Sequence, residues 1–251
     1  MKNASIASKK LTALLKKLGP VSPPELPGLA ARSPASANAP AGAGGSDPIA
    51  VLLMSMLLWE STTEKAMAAY ERLMERLVDF NDLRVCMPHE TLELIGPRYP
   101  RALDRCQRLR AVLRNIYLRE HAVNIDRLAT TSKREVKKYI ESLEGIMPYA
   151  AARTLLLGFG AHAIPVDDQL RIHLIDAEIA DASVEIPELS NWLSLQIKAG
   201  EGSAVHFSLQ SWIDGIVAKS SGEKRPVSRK PSLKPSSSKR ESRVSAKAAA
   251  G

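Results

Sequence analysis

The chain has 251 residues, 45% of them apolar, enough for a core of one or two domains. No apolar run approaches the ~18–20 residues that cross a bilayer, so no transmembrane helix is expected. Two cysteines, Cys86 and Cys106, are too few for a secreted disulfide framework and read as reduced intracellular thiols. The formal charge of +8 is unevenly placed. From Ala218 onward there are ten Lys and Arg against two acids, and up to Asp47 there are six against two. The stretch between them carries nineteen against twenty-three, so the basic character belongs to the ends.

In chain order, Lys9, Lys10, Lys16 and Lys17 alternate with Leu11, Leu14 and Leu15, as in a short basic amphipathic helix; an organellar transit peptide is the alternative reading. Residues 20–46 are rich in Pro, Ala, Gly and Ser and read as linker, because that composition buries too little apolar surface to offset ordering entropy. The whole of residues 1–46 is therefore expected to be a largely disordered extension. Ser46-Asp47-Pro48 then caps a first core helix of apolar residues from Ile49 to Trp59.

Helical spacing follows in Ala66, Ala69, Tyr70, Leu73, Met74 and Leu77, and again in Leu109, Val112, Leu113, Ile116 and Tyr117. Thr131-Ser132 opens a further helix, and Asp168–Ala180, Leu189–Ala199 and Ala204–Val217 are also expected to be helical. No alternating strand pattern of useful length occurs, so the body is predicted to be all-α. The seven arginines from Arg98 to Arg119 form either a DNA-facing stripe or a solvated helix face. His162 and His173 have no metal-ligand spacing and are taken as structural. The tail, 218–251, intersperses Lys and Arg with Ser, Pro and Ala, similar in composition to linker-histone tails. It is expected to be disordered and to bind polyanions without sequence preference, the alternative being a solubilising tail.

Leu143 to Gln169 carries the chemistry. A tight turn at Leu143–Met147 leads to Pro148, which suits the first position of a helix. That helix runs through Ala150, Ala151, Leu155 and Leu156 and stops at Gly158–Gly160, with Val166-Asp167 close behind. Such a turn aims backbone N–H groups outward, with a carboxylate at a fixed distance behind it, an arrangement suited to gripping phosphate and attacking a sugar.

This segment resembles the helix-hairpin-helix DNA glycosylases of the endonuclease III superfamily. Leu143-Glu144-Gly145-Ile146-Met147 stands for their L-P-G-V-G hairpin, Gly158-Phe159-Gly160 for A-F-G, and Val166-Asp167-Asp168-Gln169 for the V-D-x-H end. Upstream, Leu53-Met54-Ser55 and Thr62–Ala66 are similar to the family's early helix, and the likeness covers roughly 47–215. It implies a two-lobed fold within 47–217: a helical barrel at about 64–163, and a second lobe from 47–63 with 164–217.

The resemblance also implies site residues. Asp167 falls at the catalytic acid, where a buried carboxylate stabilises an oxocarbenium-like sugar or steers water. Its alternative is a helix N-cap, since Asp167 and Asp168 both sit just before a helix, and Asp168 is read as the cap or a neighbour. Tyr149 replaces the Schiff-base lysine, so lysine-type strand cleavage is expected to be missing. Tyr149 would line a base pocket or sit in the core. Gly145, Ile146 and Met147 would offer N–H groups to DNA phosphate, although Met147 stands where the family has a second glycine and suits a positive φ poorly. Leu57 occupies a glutamine position and would act as an apolar wedge or a core residue.

No cysteine follows Cys106, so the family's iron–sulfur cluster is expected to be absent, and no cofactor or metal is anticipated. The expected function is hydrolysis of the N-glycosidic bond of a damaged or mismatched base in double-stranded DNA by a non-secreted monomer, cytoplasmic/nucleoid or nuclear, without lyase chemistry. The rival is a catalytically silent DNA-binding protein. A module whose cleft binds no DNA is a third.

Overall fold

The first core helix begins where the sequence places it. The Asp47 side chain accepts the Ile49 N–H at 2.8 Å, Pro48 takes the first position, and α2 runs Pro48–Leu58. Every residue from Ile49 to Leu58 is buried. A helix apolar on all sides belongs in the middle of its lobe, and α2 packs along α8, against α3 and against α6. The computed structural model describes residues 4–22 and 47–220, and among them every regular element is helical. The linker from 23 to 46 and the basic tail from 221 lie outside the described residues.

The other helices are α1 (Ala4–Leu18), α3 (Thr63–Arg76), α4 (Phe80–Val85), α5 (Pro88–Ile95), α6 (Ala102–Glu120), α7 (Lys133–Glu141), α8 (Pro148–Phe159), α9 (Asp168–Asp176), α10 (Ile186–Gln196) and α11 (Gly202–Ser220). Their ends follow capping chemistry. Ser132 and Glu135 form a reciprocal capping box on α7. Pro148 starts α8, and Gly160, at φ 59°, ends it. α9 stops at Asp176, short of the expected Ala180, because the N–H groups of Ile179 and Ala180 turn back onto the Leu174 carbonyl.

Two apolar cores define two lobes. One joins α2–α8, from Ile49 to Phe159; the other joins α1 with α9–α11. This differs from the expected division at two points. α2 contributes its side chains mainly to the barrel core, because its apolar residues face in all directions and α3, α6 and α8 of the barrel pack against it, while Met54 and Leu58 also face a cavity shared with α11. α1 is no loose extension. Ala7 and Leu11 are buried in the second core, Leu14, Leu15 and Leu18 pack against it, and the Ser208 hydroxyl donates to the Gly19 carbonyl at 2.7 Å. One apolar stripe on a lysine-bearing helix is enough to seat it on α11.

Within the arginine-rich segment Arg98, Arg101, Arg114 and Arg119 are exposed, as on a solvated face, and Arg105 is the departure from it. Arg105 is fully buried, and its guanidinium donates to the carbonyls of Met56, Leu57, Trp59 and Pro100. It therefore closes the C-terminal end of α2, whose last carbonyls have no helical partner. Arg101 pairs with Glu60, Arg108 with Asp104, and Arg119 donates to Ser142. Arg110 and Arg114 line a groove beside the hairpin.

Candidate active site

The turn before α8 is held from both sides. The Ile146 N–H donates to the Leu143 carbonyl at 3.2 Å, and the Glu144 N–H reaches the Asn115 Oδ1 at 3.4 Å. Gly145 has φ +84°, and a Cβ there would lie 3.1 Å from the Arg108 carbonyl oxygen and 3.2 Å from the Ala111 Cβ. Both the dihedral and the contact with α6 require glycine. Met147 corrects the expectation of a strained position: at φ −90°, ψ 145° it is ordinary extended backbone and the N-cap of α8. Its side chain is buried in the barrel core, with Ile146 packed against that core. Among the described residues the N–H groups of Gly145 and Met147 take no partner, so they remain available at a helix N-terminus. Beside them opens a groove of about 650 Å³ whose α7 wall carries Lys133, Arg134, Lys137 and Glu141.

Asp167 is the N-cap of α9, and Asp168 is the first helical residue, paired with Arg171. The Asp167 Oδ1 accepts the Leu170 N–H at 2.9 Å, and its Oδ2 accepts the Glu60 N–H at 3.0 Å. The carboxylate is 6% exposed. Burial pushes its pKa up, opposed by those two N–H groups. Its position is the seam between lobes, since Glu60 follows α2 and Asp167 opens α9. Glu60 itself adopts φ +49°, unusual for a non-glycine residue, and its carboxylate is held by Arg101. Trp59, just before it, lies under the guanidinium of Arg101 at 4.9 Å.

Tyr149 projects from α8 into a polar cluster that sequence reasoning missed. It is buried, its hydroxyl donates to the Gln210 Oε1 at 3.3 Å, and burial drives its pKa far above the phenol range. Gln210 donates onward to the Asp214 Oδ1 at 3.1 Å, which also accepts the Thr63 N–H at 3.2 Å. One turn after Tyr149, Arg153 donates through Nε to the His206 Nε2 and through Nη1 to the Ser55 hydroxyl, both at 3.0 Å. Arg153, His206, Gln210 and Asp214, with Met54 and Leu58, line a cavity of about 180 Å³. One signal was legible: His206, Gln210 and Asp214 recur every four residues on α11 and so share a face.

Leu57 is elsewhere. It is 0% exposed, inside the barrel core, and its carbonyl accepts from the Tyr99 hydroxyl and Arg105. A side chain that wedges into DNA must reach the surface, so the wedge role is corrected to a core role. The structure thus brings Asp167 and Tyr149 to one seam, keeps Gly145, Ile146 and Met147 together at the mouth of α8, and removes Leu57 from the group.

The two lobes, the hairpin and the capped aspartate define the fold of the helix-hairpin-helix DNA glycosylases. A non-covalent endonuclease III–DNA complex superposes with a TM-score of 0.57 at 15% identity, covering 83% of this chain and 85% of that one. A thermostable thymine-DNA glycosylase gives 0.53 at 16%, covering 84% and 86%. The Clostridium acetobutylicum 8-oxoguanine glycosylase/lyase in its apo-form gives 0.52 at 16%, covering 81% and 67%. The likeness is one of fold. No family model and no curated protein matches the sequence.

Proposed function

We propose that this protein is a DNA glycosylase that hydrolyses the N-glycosidic bond of a damaged or mismatched base in double-stranded DNA, without lysine-based strand cleavage. One observation carries it: a buried aspartate at the interlobe seam, behind a hairpin in which, among the described residues, the Gly145 and Met147 N–H groups take no partner while that of Ile146 is held by the Leu143 carbonyl. The Gly145 and Met147 N–H groups would hold a phosphate of the backbone, with the cations of α7 alongside. The extruded base would enter beside Tyr149. As the bond breaks, the Asp167 carboxylate would face the developing positive charge on the sugar and orient the incoming water. The Glu60 and Leu170 N–H groups would hold the carboxylate in place for this, each leaving its oxygen a further lone pair. Tyr149 has no amine, so no imine forms with the sugar and the product is an intact abasic strand. The fold of endonuclease III and thymine-DNA glycosylase supports this reading. The test is a duplex-incision assay: strand breaks should appear only after alkali.

A second reading, a silent DNA-binding protein, is favoured by one specific feature. Both Asp167 oxygens are already engaged by backbone N–H groups, as a purely structural cap would be.

A further inference from the structure

Arg153 is 4% exposed, yet among the described residues it makes no ion pair. Its two hydrogen bonds go to neutral groups, the Ser55 hydroxyl and the Nε2 of His206. Burial and the neighbouring guanidinium hold His206 well below its ordinary pKa, so that nitrogen accepts from Arg153 without competing charge. A buried cation without a counter-charge is costly, and such groups are retained where they serve a ligand or a reaction.

Arg153 lies in the wall of the 180 Å³ cavity. That is below the ~300 Å³ at which pockets for drug-sized ligands begin, so one small ring is the natural occupant. The walls sort by chemistry. Met54 and Leu58 offer apolar surface for the faces of a ring. Arg153 supplies donors. Asp214 supplies an acceptor: its Oδ1 is taken by Thr63 and Gln210, while its Oδ2 takes none of the described donors. Gln210 is fixed between Tyr149 and Asp214, which orients that wall.

We propose that this cavity receives a pyrimidine imide, uracil or thymine, and that Arg153 stabilises the base as it departs. The inference rests on the glycosylase reading. An imide edge presents carbonyl, N–H, carbonyl, which meets a guanidinium and a carboxylate in turn. An exocyclic amine in place of a carbonyl would face the guanidinium with a donor, and an alkylated cationic purine would be repelled by it. When the C1′–N1 bond breaks, its electron pair stays on N1 and spreads onto the ring carbonyls, where Arg153 donates. Water adds its oxygen to C1′; one of its protons passes by way of Asp167 to solvent, and N1 of the base is protonated from solvent.

The direct probe is barbiturate, a pyrimidine imide that is an anion at neutral pH, titrated calorimetrically into the full chain. Wild type should bind it. Arg153→Met should bind at least about thirtyfold more weakly, the loss expected when one partner of a buried charged contact is removed, and Arg153→Lys should bind at an intermediate level. Ser211→Trp, at an exposed rim position, tests the same cavity without touching the buried network, and should also lose binding. With duplex substrates, Arg153→Met should lose release of uracil or thymine while keeping duplex affinity. Failure of wild type to bind barbiturate, or equal binding by wild type, Arg153→Met and Ser211→Trp, overturns the proposal. Barbiturate bound through Arg153 with no base released from any duplex overturns the glycosylase reading and leaves the cavity's ligand class standing. Release of alkylated purines without barbiturate binding does the reverse.

Discussion

The carboxylate of Asp167 holds the backbone N–H of Glu60, a residue 107 positions earlier in the chain. The bond crosses between the lobes: its donor follows the central helix of the barrel, and its acceptor caps the first helix after the barrel. The same carboxylate is thus a cap, an interlobe tie and the proposed catalytic group.

Replacing Asp167 by Ala should cost about 1–2 kcal/mol of stability through loss of the cap alone, measured by chemical denaturation. Asp167→Asn should cost less, because its amide oxygen still accepts the Leu170 N–H. The two variants separate folding from chemistry.

The pH dependence has a definite sign. The Asp167 pKa is raised on folding, so the folded chain binds its proton more tightly than the unfolded chain. Its contribution to stability is therefore fully present below the ordinary value of 3.8 and declines as pH rises toward the folded pKa. In that window wild type should lose stability relative to Asp167→Asn, a comparison in which other carboxylates such as Asp47 cancel. A flat difference across the window would show that Asp167 titrates normally.

Arg105 should be among the costliest single positions. Truncation to Ala leaves the Met56, Trp59 and Pro100 carbonyls without their donor, while the Leu57 carbonyl keeps the Tyr99 hydroxyl. At roughly 1–3 kcal/mol for each buried group left unsatisfied, a loss of at least ~3 kcal/mol is expected, with Arg105→Lys intermediate. A loss under ~1 kcal/mol would mean that water replaces the guanidinium easily.

Gly145 should respond as a hairpin glycine does, and Met147, at the second glycine position of the pattern, should not. Gly145→Ala places a Cβ against the Arg108 carbonyl at positive φ and should cost ~1–3 kcal/mol, with weaker duplex binding. Met147→Gly places there the glycine of the pattern this segment resembles, yet Met147 has φ −90° and a buried side chain, so the change should destabilise and not strengthen DNA binding. Denaturation together with a salt titration of duplex affinity checks both.

The all-α class was legible in the helical spacing of apolar residues, and the Asp47–Pro48 start, the helix opening at Ser132 and the Pro148–Gly160 helix were legible because each is written in local capping chemistry. The position of Asp167 was singled out by the resemblance to the glycosylase pattern and not by local chemistry, and it lies at the N-cap of α9. Leu57 was not, because a helix that is apolar on every side has no face from which a direction can be read. Arg105 was hidden among similar arginines, and only the carbonyl cluster at the end of α2 distinguishes it. The cavity around Arg153 joins residues from α2, α3, α8 and α11, far apart in sequence. Only the four-residue spacing of His206, Gln210 and Asp214 gave a local trace of it.

The measurement that most directly tests the glycosylase reading is base release by the full chain from duplexes carrying uracil, thymine opposite guanine, alkylated purines or oxidised pyrimidines, with Asp167→Asn in parallel. Alkali-labile sites that appear with wild type and vanish with a folded Asp167→Asn are expected. No release from any duplex, with salt-sensitive duplex binding intact, would contradict it and leave Asp167 as a structural cap in a protein that only binds DNA.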